Sequence, residues 1–130
     1  MMTIEMSVLA YIGVFALILT LIQGTRNVLL LGLPTAAGNQ HDIDPWTGWN
    51  DRLNRAISNL IEAIIIFAPV AVAVQLSGLN NDISALGAQV FLVARIAHAV
   101  VYVVGIPYVR TTAWSAGVAG ILMLASPLFT

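Results

Sequence analysis

From Arg52 to Val74 the chain reads Arg-Leu-Asn-Arg-Ala-Ile-Ser-Asn-Leu-Ile-Glu and then, without a break, Ala-Ile-Ile-Ile-Phe-Ala-Pro-Val-Ala-Val-Ala-Val. A helix needs about 20 mostly apolar residues to cross a bilayer, and this segment supplies them while carrying a polar strip at one end. Three other stretches meet the same requirement if a few polar residues face inward, so spans are expected at roughly residues 6–33, 47–76, 83–105 and 109–128. A mean hydropathy of +0.92, with 8% charged residues and no lysine, excludes an ordinary soluble domain. The expectation is an all-α integral membrane protein: a single domain over residues 1–130, built as an antiparallel four-helix bundle with a polar loop at 34–46.

Local punctuation agrees with these limits. Gly32, Pro34 and Gly38 close the first span, Ser77-Gly78 the second, and Gly105 with Pro107 separates the third from the fourth. Asp44-Pro45 suits a cap and first-turn proline for the second helix, and Asn81 or Asp82 can cap the third. The start, Met-Met-Thr-Ile-Glu-Met, lacks the positive region of a cleavable signal peptide, so the first helix is expected to stay. Without cysteine the chain has no thiolate of its own, and any reactive sulfur must come from a ligand. A formal net charge of -1 gives no pointer to nucleic acid.

Four antiparallel spans place the first and third connections on one membrane side, and all five arginines fall in that half: Arg26, Arg52, Arg55, Arg95 and Arg110. Glu5 and Asp82 sit at the opposite face. The positive-inside rule makes the arginine side cytoplasmic and puts both termini outside; a bacterial inner membrane is the expected location.

Arg52, Arg55, Asn59 and Glu62 step by three and four, so they share a helix face within an arc of roughly 80°. The third span repeats the device with Arg95, His98 and Tyr102. Charges inside a span are costly and usually functional, and this cluster is short of anions: against five arginines stand Glu62 within the span and Asp42, Asp44 and Asp51 in or near the wet loop. Either water fills the site or an anionic ligand completes it, and arginine suits bidentate carboxylate recognition. Glu62 and Arg95 lie at similar depth and are expected to approach each other or to share a ligand's ammonium and carboxylate.

Blander readings stand beside these. Arg52 can be a snorkelling residue, Asn59 and Glu62 can bond helices together, and His98 can be a satisfied core histidine. Trp46, Trp49, Tyr108 and Trp114 fit an aromatic belt, while Ala113, Ala116, Gly117 and Gly120 form a small-residue ladder suited to helix packing. His41 with Asp42 and Asp44 is a poor metal cluster, so no metal is expected.

The string Arg52-x-x-Arg55-Ala-x-x-Asn59-x-x-Glu62, followed by Arg95-x-x-His98-x-x-x-Tyr102 and then Arg110-Thr111, resembles the MAPEG family of membrane proteins in eicosanoid and glutathione metabolism. The second motif, Phe91 to Tyr102, is most similar to the microsomal prostaglandin E synthase and microsomal glutathione transferase branch. The resemblance implies a homotrimer binding glutathione between neighbouring subunits in the cytoplasmic half, with a lipophilic substrate arriving from the membrane lipid. Arg55, Asn59 and Glu62 would then hold the glutathione backbone and amino group, with Arg52 on the same strip. Arg26 and Arg95 would serve charge at the subunit boundary, and His98 and Tyr102 would line the pocket. Arg110 would stabilise the thiolate, with Thr111 where the prostaglandin branch has a serine. Two departures are visible: Ala63 replaces the tyrosine of the leukotriene C synthase branch, and the segment from Tyr102 to Arg110 is one residue shorter than in the prostaglandin branch. The implied activity is that of a glutathione-dependent transferase or peroxidase; the alternative is a non-catalytic lipid-binding or structural membrane subunit of the same fold.

Overall fold

A computed structural model describes residues 2–31 and 48–129. Four helices follow in order: α1 (Ile4–Leu31), α2 (Gly48–Ser77), α3 (Asp82–Val104) and α4 (Pro107–Ala125), the last running into a short 3-10 turn at Ser126–Phe129. Each is long and apolar enough to cross a membrane, and the chain is an all-α integral membrane protein. The loop at 34–46, with Gly32, Pro34, Gly38, His41, Asp44-Pro45 and Trp46, lies outside the described residues.

Helix ends fall where the sequence places its stop and start residues. Gly78 turns the chain at φ 70° after the Ser77 hydroxyl has bonded Val74 O at 3.0 Å. Asn81, rather than Asp82, caps α3: its Oδ1 accepts from Ser84 N at 2.8 Å, while Ser84 Oγ accepts from Asn81 N at 2.9 Å, a reciprocal capping box. Gly105 ends α3 in the left-handed region, φ 93°, with its N–H on Val101 O. Pro107 then opens α4, a position that needs no amide donor.

Side-chain bonds between helices fix the up-down-up-down order. Thr3 Oγ1 at the start of α1 donates to Gln75 Oε1 at the end of α2, 2.6 Å, and Gln23 Nε2 near the other end of α1 donates to Asn54 Oδ1 at the start of α2, 2.7 Å. Ser84 Oγ donates to Glu5 Oε1 at 2.6 Å, joining the starts of α1 and α3; Glu5 is 2% exposed. This buried carboxylate thus sits at the positive N-terminal end of α3.

Packing follows one stripe per helix. Leu60, Ala63, Phe67, Ala71 and Val74 of α2 meet Val8 and Ile12 of α1, Ala88 and Phe91 of α3, and Leu124 of α4. Phe67 and Phe91 stack with centroids 4.2 Å apart at 10°. In lipid such contacts act through close packing rather than water exclusion, which is why α3 and α4 meet at glycines. A Cβ on Gly87 would lie 2.6 Å from Gly120 O, and one on Gly120 would lie 2.7 Å from Gly87 O. The small-residue ladder of α4 therefore serves contact within the chain. Most apolar side chains of α1, among them Tyr11, Leu17, Ile18, Leu21 and Leu29, are exposed.

Candidate functional site

Three helices present one face each to a common recess at the arginine end. On α2 the lining residues are Asn59, Glu62, Ala63 and Ile66; on α3 Phe91, Arg95, His98 and Tyr102; on α4 Arg110, Thr111, Trp114, Gly117, Val118 and Ile121. Along every helix these step mainly by three or four, as one helical face requires. The recess has two lobes. An inner lobe of about 130 Å³ lies among Asn59, Glu62, Phe91, Arg95, Trp114 and Gly117, and an outer groove of about 370 Å³ lies among Asn59, His98, Tyr102, Arg110, Thr111 and Trp114. Asn59 and Trp114 wall both lobes. The outer one alone reaches the range of about 300–1,000 Å³ usual for small-molecule sites; the inner one has room for roughly four waters.

Charge within the recess is mainly positive. Arg95 is 3% exposed, its stem resting against Gly117, where a Cβ would come 3.2 Å from Arg95 Cδ. Glu62, on the wall of the same lobe, is the anion whose charge reaches Arg95. The expected Glu62–Arg95 approach is thus a shared cavity. His98, also 3% exposed, lies in the fields of both Arg95 and Arg110 and tilts against Tyr102 at 5.7 Å and 56°. The Arg110 guanidinium stands over the Tyr102 ring, 4.6 Å from its centroid, a cation–π contact.

Among the described residues, two buried atoms in this cluster, Arg95 Nε and His98 Nδ1, have no hydrogen-bond partner. Leaving a buried polar group unsatisfied costs about 1–3 kcal/mol, so nearly every such group in a native protein finds a partner in the chain, in water or in a ligand. A small molecule with carboxylates and an ammonium would suit two guanidinium groups, an imidazole, an amide and a carboxylate.

The remaining sequence-predicted residues are placed differently. Arg55 is exposed on α2, one turn before Asn59. Arg52, half-buried, sends Nε across to Val103 O at 2.8 Å, at the far end of α3. Among the described residues, Arg26 lines a groove with Ile18, Leu21, Ile22, Thr25 and Leu29 of α1, apart from the recess. Trp114 is 54% exposed, as a belt residue would be, yet it also walls both lobes, which the sequence reading missed. Its position four residues after Arg110 puts it on the same face of α4, but a belt indole fits that spacing equally well. Among the described residues no group of three His, Asp or Glu converges on a possible metal position.

The family model described as MAPEG matches residues 3–129. No curated protein and no solved structure matches.

Proposed function

Because the chain belongs to the MAPEG family, we propose that it is a glutathione-dependent transferase or peroxidase acting on lipophilic electrophiles. The working unit is a homotrimer with its sites on the cytoplasmic side, and the nearest branch is that of microsomal prostaglandin E synthase and microsomal glutathione transferase. When bound, glutathione supplies the sulfur nucleophile that this cysteine-free chain lacks.

The donor set fits that molecule. Glutathione carries two carboxylates and one ammonium, and the recess offers Arg95 and His98 for the former and Glu62 for the latter, leaving Arg110 for the sulfur. Asn59, between the two lobes, can bond a peptide group from either side, and Arg55 extends the cationic strip outward along α2. Arg26 serves charge where a neighbouring subunit meets α1. Ile66, Val118 and Ile121 give the inner lobe an apolar flank against which a bilayer-borne substrate can lie.

The observation that carries this reading is Arg110, held over Tyr102 on the wall of the outer groove. A free thiol has a pKa of about 8.5, and an adjacent cation lowers it by one or more units. Each unit raises the thiolate fraction about tenfold at neutral pH. Arg110 supplies that cation, and Thr111 offers a hydroxyl beside it.

The test is conjugation of glutathione to a chlorinated nitroaromatic by purified protein, together with calorimetric titration by reduced glutathione and its S-hexyl derivative. Saturable binding with turnover that is lost in Arg110→Ala supports the reading. Binding without turnover would leave a non-catalytic member of the family, and absence of both would overturn the glutathione assignment.

A further inference from the structure

We propose that Arg52 is a positioning residue that aims Arg110, by latching the last turn of α3 to the first turns of α2. The inference rests on the role given to Arg110 above.

The last carbonyls of any helix lack partners within it. At the end of α3, Val101 O receives the N–H groups of both Gly105 and Ile106, at 2.9 and 3.2 Å. Val103 O is taken instead by Arg52 Nε, 2.8 Å away and 51 residues distant in sequence. A charged donor makes that bond roughly twice as strong as a neutral one. A snorkelling arginine would send its head outward to water or headgroups; here the Nε–H is committed to a carbonyl on another helix.

The latch acts on the corner from which Arg110 is delivered. Only Gly105 and Ile106 separate α3 from α4. Gly105 stands at φ 93°, and a Cβ on it would lie 3.4 Å from both Cδ and Nε of Arg52, so the arginine stem lies along the turn. Ile106 gives α4 no side-chain cap. The direction of the first turn of α4 is therefore set by the left-handed glycine, the proline and Arg52. Arg110 lies in that turn and rests on Tyr102, the residue before the latched Val103. Releasing Val103 O frees the platform and the cation together.

The experiment uses the full chain in lipid nanodiscs, comparing Arg52→Ala, Arg52→Lys, Gly105→Ala and the Arg52→Ala/Gly105→Ala double variant. Expected for Arg52→Ala is a fall in kcat of about tenfold at neutral pH, with calorimetric glutathione affinity held within about twofold. The pH of half-maximal kcat should move upward, as it must when the thiolate loses its cation. Arg52→Lys keeps a charged N–H donor that can reach Val103 O and should restore part of the lost kcat. Gly105→Ala should reproduce the defect, with the double variant no worse than the poorer single, because both act on one corner. A direct ligand role would instead weaken glutathione affinity with kcat spared, and that result overturns the proposal.

Hydrogen exchange separates this outcome from failure of the glutathione reading. Even if wild type shows no turnover, Arg52→Ala should speed exchange across residues 106–111 while residues 84–95 stay protected. Unchanged exchange at 106–111 sinks the latch whatever the activity. If Arg52→Ala does not purify folded, Gly105→Ala carries the same readings.

Discussion

Arg110 occupies the first turn of α4, where the helix dipole disfavours a cation, so something outside its own helix must hold it. The Tyr102 ring does, at 4.6 Å, a contact of about 0.5–2 kcal/mol depending on how far water is excluded. Tyr102→Phe keeps the ring and should leave kcat/KM for glutathione conjugation within about twofold, whereas Tyr102→Leu should lower it about tenfold, by about 1.4 kcal/mol; equal losses in both would assign the effect to the hydroxyl. The thiolate role has its own signature in pH. If Arg110 lowers the thiol pKa, Arg110→Ala loses most at a pH below about 8.5 and progressively less above it, where the unassisted thiol ionises anyway. Rates measured across that range should converge for the two proteins at high pH, and a constant ratio would count against electrostatic stabilisation. His98, Arg95 and Tyr102 could be grouped from spacing alone because they share one face of one helix. Trp114 could not, since an indole near a membrane surface suits a belt as well as a cavity wall, and only the packing of α4 on α3 decides.

Packing between elements separates two glycines that look alike in the ladder of α4. A methyl on Gly120 meets the backbone of Gly87 at 2.7 Å, and one on Gly117 meets the flexible stem of Arg95 at 3.2 Å. Backbone cannot move aside cheaply, so Gly120→Ala should destabilise by about 3 kcal/mol and Gly117→Ala by about 1 or less. Thermal unfolding in one detergent would rank them, and Gly117→Ala, unlike Gly120→Ala, should perturb glutathione affinity by displacing Arg95. The ladder was legible as a packing surface, but its counterpart on α3 was not: Gly87 is the single glycine of that helix, and no pattern says which helix a lone glycine will meet. Glu5 was similarly opaque. In the sequence it is a charge near a helix start; its burial depends on Ser84, 79 residues on. Ser84→Ala removes a capping-box member and the carboxylate's hydroxyl donor together, an expected loss of about 1–3 kcal/mol that Glu5→Gln should partly relieve by removing the buried charge.

Across the whole molecule, the end of α2 and both ends of α3 were readable to within a residue because they are written locally, by Gly78, Asn81 and Gly105, whose conformations need no tertiary help; the expected limits at 33 and 47 lie outside the described residues. What was not readable is the division of labour among the arginines. Arg52 and Arg110 begin helices at the same end, yet one binds a neighbouring helix and the other faces a groove, a difference set by the angle of the corner at Gly105. Orientation in the bilayer remains a prediction from the positive-inside rule, and this chain is well suited to test it because it contains no cysteine. Leu79 lies between α2 and α3, at the end that carries Glu5, and Ile106 lies in the corner at the arginine end; both are exposed, so a cysteine there perturbs little. In intact cells a membrane-impermeant maleimide should label Leu79→Cys and leave Ile106→Cys untouched until the membrane is permeabilised. The reverse pattern would put the recess on the outer side, where its arginines would face away from the cytoplasmic thiol pool that the proposed chemistry draws on.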